Sequence, residues 1–180
     1  REFWPIFEVA EELDVPIYLH PADPDKTVTE RYYSPYDKTH PMVTRAAWGF
    51  GIETGTQAVR LILSGIFDRY PKLKIFLGHF GEAIPFWLPR IHESFTRPGN
   101  ENIDFNRIFK ENFWITTSGF FSDNALELCL KVLNAEKILF AVDWPYANNK
   151  VGVDWLANAP IDKHTKKMIF SENARNLFNL

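Results

Sequence analysis

Two histidines and an aspartate, His20, His79 and Asp143, stand where short apolar runs stop: "IYLH", "KIFLGH" and "KILFAVD". Imidazole and carboxylate donors suit Zn, Mn or Fe, and three of them leave coordination positions for substrate. The same groups can move protons near neutral pH. Glu82 follows His79 by three residues in "HFGE", and Trp144 follows Asp143 directly. A single histidine at a strand end is commonly a hydrogen-bonded scaffold residue, and Asp143 before Trp144-Pro145 also reads as a turn carboxylate. Three such residues at equivalent positions favour a site, provided that the fold brings their strands to one face. Trp144, beside Asp143, is placed to wall an aromatic substrate, although aromatic residues at this density mostly build cores.

The elements that must position these residues follow from periodicity. "EFWPIFEVAEELD" has the apolar spacing of a helix and leads into the strand that ends at His20. Residues 21 to about 43 lack a clear period and read as a long loop. Helix is expected from about Thr44 to Tyr70, with a break near Gly49 and Gly51, before Pro71 and the strand to His79. "EAIPFWLPRIHESF" reads as a helix carrying prolines, "FWITTS" as a strand, and "SDNALELCLKVLN" as a helix capped by Ser122. "KILFAVD" is the last strand, and mostly helix follows it. Strands alternating with helices imply a parallel sheet with crossover connections, whose strand ends share one face. No glycine-rich phosphate loop follows the first strand, which argues against a dinucleotide fold. The expectation is an α/β chain of the (β/α)8 TIM-barrel type with only the last four β/α units present. Four strands leave two raw edges. Residues 1–180 therefore read as the C-terminal part of a single catalytic domain whose N-terminal strands are missing.

With 180 residues, 46% of them hydrophobic and 16% aromatic, the chain can bury a substantial core. A net charge of −3 and scattered lysines and arginines provide no field for a nucleic-acid backbone. No run approaches the ~20 apolar residues of a membrane span. The lone Cys129 excludes an internal disulfide and a cysteine-rich zinc site, and reads as a buried small hydrophobe in a reducing, cytoplasmic compartment.

"YLHP", "LGHFGE" and "DWPY", in that order and spacing, resemble the metal-dependent decarboxylase branch of the amidohydrolase superfamily. The stretch from "AWGFGIETGTQ" to "FWLPRI" is most similar to its hydroxybenzoate decarboxylases, and the likeness extends to the closing "SENARNLFNL". The resemblance implies a divalent metal, Zn or Mn, with His20 and Asp143 among its ligands. It implies that Asp143 also shuttles a proton, that Glu82 holds the His79 imidazole, and that Arg90 meets the substrate carboxylate. On the residues alone, Glu82 also reads as a first-turn carboxylate favoured by a helix dipole, and Arg90 equally as a surface ion-pair residue. The implied reaction is non-oxidative decarboxylation of a hydroxybenzoate-like aromatic acid, by a homodimer or homotetramer. Two other readings stay open: hydrolysis of a lactone, ester or amide by activated water, and a non-catalytic fragment or scaffold.

Overall fold

The computed structural model describes residues 2–180. Helix α1 (Trp4–Glu12) leads to strand β1 (Ile17–Leu19), and α2 (Lys26–Val28) runs into a π-helical turn at Thr29–Tyr33. Two 3-10 turns precede α3 (Gly49–Leu63) and α4 (Ile66–Arg69). Then come β2 (Ile75–Leu77), the single turn α5 (His79–Glu82), α6 (Ile84–Phe95), α7 (Phe105–Asn112) and β3 (Phe113–Thr116). The chain closes with α8 (Asp123–Val132), β4 (Ile138–Leu139), α9 (Asn149–Asn158), α10 (Lys163–Lys167) and α11 (Asn173–Phe178).

The expected helix over 44–70 breaks later than the glycines at 49 and 51 suggest. Gly49 opens α3, and the interruption falls at Ser64-Gly65, where Gly65 takes a positive φ. Residues 21–43 carry short helical turns rather than bare loop. Ser122 caps α8 as expected, its hydroxyl accepting from the Ala125 N–H at 3.3 Å.

All four strands are parallel and lie in sequence order, β1-β2-β3-β4. The register aligns Leu19 with Leu77 and Leu77 with Ile115. A sheet that never reverses its strand order, with each connection of the usual hand, keeps its crossover helices on one face. Alternation then separates two sets of side chains. Ile17, Leu19, Ile75, Leu77, Phe113, Ile115 and Ile138 join the core under the helices. Tyr18, Phe76, Trp114 and Thr116 occupy the other face, where the Tyr18 and Phe76 rings meet at 6.1 Å.

The core is dominated by aromatic and branched residues of helices and strands together. Phe105, Phe109 and Phe113 are fully buried, and the Phe109 and Phe113 rings stack at 5.1 Å. Asn112 ties α7 to the start of β2, donating to the carbonyls of Pro71 and Leu73 at 2.9 Å each. No helix among the described residues is long and apolar enough to cross a membrane.

Candidate active site at the strand ends

Parallel strands in register place the residues that follow them at one end of the sheet. Beyond Leu19 comes His20, beyond Leu77 and Gly78 comes His79, and beyond Thr116 come Thr117, Ser118 and Gly119. The last strand needs help to reach Asp143, because its ladder is only two residues long. The Thr117 hydroxyl supplies it, donating to the Ala141 carbonyl at 2.8 Å and accepting from the Ala141 N–H at 3.1 Å. The Gly119 N–H then donates to the Val142 carbonyl at 3.1 Å.

His79 opens a left-handed turn. His79, Phe80, Gly81, Glu82 and Ala83 all have positive φ, from 46° to 79°. Outside glycine this conformation costs about 1–2 kcal/mol per residue, and such strain collects at functional sites. Its effect is to fold Glu82 back so that Oε1 accepts the His79 Nδ1–H at 2.7 Å. Glu82 is buried, directly before α6. The hydrogen bond to Glu82 raises the His79 pKa above its ordinary value. Burial opposes the rise, and the charges of Glu82 and Asp143 add to it. With Nδ1 engaged, Nε2 faces outward, 3.7 Å from Asp143 Oδ2.

Gly119 makes that approach feasible. It has φ +63, and a β-carbon there would lie 2.9 Å from Asp143 Oδ2 and 3.2 Å from His79 Cδ2. A side chain would part the two reacting groups.

Beneath them lies a hydroxyl cluster that the sequence did not disclose. Thr116 and Ser118 are buried 2.8 Å apart, and the Tyr18 hydroxyl sits 3.3 Å from each. Ser118 Oγ also accepts the backbone N–H of His79 at 3.3 Å. Tyr18 is two residues before His20, hence on its face of the strand, and their rings are 6.2 Å apart. The cluster thus lies between His20 after β1 and His79 after β2. That two-residue spacing was the available signal, but only the register shows what Tyr18 meets.

His20 is solvent-exposed, and its Nδ1 lies 2.8 Å from the Pro21 carbonyl. Donation to that carbonyl leaves the Nε2 lone pair free, as in histidines that bind metal. Asp143 is partly exposed, and Trp144 after it is 72% exposed, in a cavity of ≈ 360 Å³ formed by residues 144–149. Arg90 lies on the exposed side of α6, with no hydrogen bond to the His79 cluster among the described residues. The structure therefore brings His79, Glu82 and Asp143 into contact and sets the Tyr18 ring between His20 and the Ser118 hydroxyl. Among the described residues no three His, Cys, Asp or Glu side chains form a complete ligand group.

Sequential parallel strands that bring histidine and carboxylate side chains to one shared end are the arrangement found at the C-terminal face of (β/α) barrels. The family model described as "Amidohydrolase" matches residues 1–180, and the chain belongs to that family. It is similar to a γ-resorcylate decarboxylase of Polaromonas sp. strain JS666, at 39% identity over 187 residues, covering 99% of this chain and 55% of the relative. The crystal structure of a dihydroxybenzoic acid decarboxylase from the same strain, with bound manganese and the inhibitor 2-nitroresorcinol, superposes with a TM-score of 0.90. It is 39% identical and covers 99% of this chain and 54% of that one. A 5-carboxyvanillate decarboxylase from Novosphingobium aromaticivorans, solved with manganese, gives 0.86 at 34% identity, covering 99% and 51%. The chain spans about half the length of the curated relatives it matches. Its four-stranded sheet is part of the (β/α)8 barrel of this family.

Proposed function

We propose that the protein is a metal-dependent, non-oxidative decarboxylase of a hydroxybenzoate-like acid. The observation that carries this reading is the His79 imidazole held between Glu82 at 2.7 Å and Asp143 at 3.7 Å at the strand ends. Similar proteins are named decarboxylases of γ-resorcylate, and similar structures hold manganese.

A divalent ion, Zn or Mn, would be held by His20 Nε2 and Asp143, a nitrogen and oxygen donor pair that suits either metal. When bound, it supplies positive charge that orients the substrate's carboxylate and neighbouring phenolate. The remaining ligands belong to the proposal that residues 1–180 are the C-terminal part of one barrel domain, the other strands lying before them.

Direct loss of CO₂ from an aromatic ring would leave an aryl carbanion. Protonating the ring carbon that bears the carboxylate avoids this. The carbon–carboxylate bond then breaks, its electron pair restores aromaticity, and CO₂ leaves. Asp143 delivers the proton. His79, whose pKa the bond to Glu82 raises, stands 3.7 Å away and restores it from Nε2–H. Glu82 holds that ring in the required orientation. Trp144 lies beside Asp143 to contact the substrate ring, and Arg90 meets the substrate carboxylate from the exposed face of α6. Assembly into a homodimer or homotetramer and a cytoplasmic location complete the reading.

The test measures CO₂ release from a panel of hydroxybenzoates by the intact, metal-loaded protein, beside hydrolysis of aryl lactones, esters and amides. Decarboxylation that falls at least 10²-fold in Asp143→Asn supports the reading. Hydrolysis alone would replace it with the activated-water alternative. Neither activity, with no tightly bound metal, would leave a scaffold.

A further inference from the structure

Of the two carboxylate oxygens of Glu82, Oε1 meets His79. Oε2 is turned towards α3, where a β-carbon on Gly51 would stand 3.2 Å away. Apart from the adjoining residues of α3 itself, no other atom among the described residues comes within 4 Å of that point. One turn along, a β-carbon on Gly55 would instead meet the Glu82 main-chain carbonyl at 3.0 Å. The two glycines therefore play different parts. Gly55 lets the helix backbone lie against the left-handed turn, whereas Gly51 leaves room for one carboxylate oxygen.

Glu82 has little freedom to yield. Its side chain is 3% exposed, and Oε1 is fixed on the imidazole at 2.7 Å. A methyl group at position 51 would press on Oε2 at 3.2 Å, so the carboxylate must give by a few tenths of an ångström while its other oxygen holds Nδ1. The space beyond is a cleft of ≈ 260 Å³ between α3 and α6, lined by Gly51, Gly55, Glu82, Ile84, Trp87 and Ile91. Local helix propensity favours alanine over glycine at a position such as 51. Fold stability therefore gives no reason for glycine here, and the carboxylate does.

We propose that Gly51 is a positioning residue for the His79–Glu82 pair, its missing side chain making the room in which Oε2 lies while Oε1 holds the imidazole. The kinetic consequence rests on the decarboxylase reading, but the geometric one does not. The test uses the intact protein as Gly51→Ala, Glu82→Ala and the double variant. Gly51→Ala is expected to keep or raise the melting temperature while shifting or abolishing the downfield proton resonance of the His79 Nδ1–H. It should lower kcat for CO₂ release about tenfold, as small misplacements of catalytic groups do, with KM nearly unchanged. In the Glu82→Ala background the same change should have no further effect on kcat, since no carboxylate remains to be displaced. An unaltered resonance and kcat in Gly51→Ala would overturn the proposal. So would an equal loss with and without Glu82, which is the mark of a merely structural role. If the wild-type protein releases no CO₂, the functional reading fails while the resonance still decides the role of Gly51. That measurement needs Gly51→Ala alone, so it stands even where Glu82→Ala does not fold.

Discussion

Replacing Glu82 by glutamine keeps the length of the side chain and an oxygen within reach of His79 but removes its negative charge. The carboxylate is 3% exposed and the imidazole 29%, so little solvent screens the pair. A hydrogen bond to an ionised partner contributes about 1.5–3 kcal/mol, against about 0.5–1.5 for a neutral one. The charge on Glu82 therefore strengthens the hydrogen bond by ~1–1.5 kcal/mol. Burying that charge costs part of this back, and glutamine avoids the cost, so the net loss of stability near pH 6 should be about 1 kcal/mol or less. The pH dependence is the sharper readout. His79 has its pKa raised by folding, first through the bond to Glu82. Its stabilising contribution is thus full below the unfolded value of about 6.5 and disappears as pH rises through the higher folded value. Urea unfolding across that window should show the wild-type protein losing stability with rising pH, and Glu82→Gln losing much less. Activity should fall roughly tenfold, since ~1.4 kcal/mol is one decade in rate. A Glu82→Gln protein with the wild-type pH profile of stability and an unchanged His79 titration by NMR would refute the coupling of the two side chains.

Three further outcomes follow from the packing. Gly119→Ala forces a β-carbon to within 2.9 Å of Asp143 Oδ2 at a φ of +63; it should cost about 1–2 kcal/mol in chemical denaturation and most of the activity. Phe113→Ala removes a fully buried ring packed against Phe67 and Phe109, and should cost about 3–5 kcal/mol by the same measurement. Burial pushes the Cys129 thiol up to about 12, so a disulfide-exchange reagent near pH 8 should leave it untouched in the native protein and titrate it in urea.

The strand ends were legible because a parallel α/β chain writes them plainly: apolar runs, then a polar residue, at intervals that a crossover helix can fill. His20, His79 and Asp143 could be picked out on that basis, and the sheet order agrees with the alternation. What the residues did not reveal depends on backbone geometry or register. The family resemblance implied that Glu82 holds His79, but the left-handed turn from His79 to Ala83 that achieves it carries only one glycine, Gly81, and so was not announced by the residues. The meeting of Tyr18 with Thr116 and Ser118 spans about a hundred residues and appears only once β1, β2 and β3 are aligned. The break of the long helix at Ser64-Gly65, rather than near Gly49 and Gly51, reflects what each glycine faces. Gly51 lies beside Glu82 within a continuous helix, whereas Gly65 takes a conformation that other residues resist. Arg90 lies on the exposed side of α6, a position set by the phase of that helix.

Manganese or zinc binding by the intact protein, measured by calorimetry on wild type, His20→Ala and Asp143→Asn, tests most directly whether these distant residues serve one centre. Stoichiometric binding in the wild type, weakened in each variant by at least a hundredfold, is the expected result. Undiminished binding in both variants would contradict a common metal centre at these strand ends.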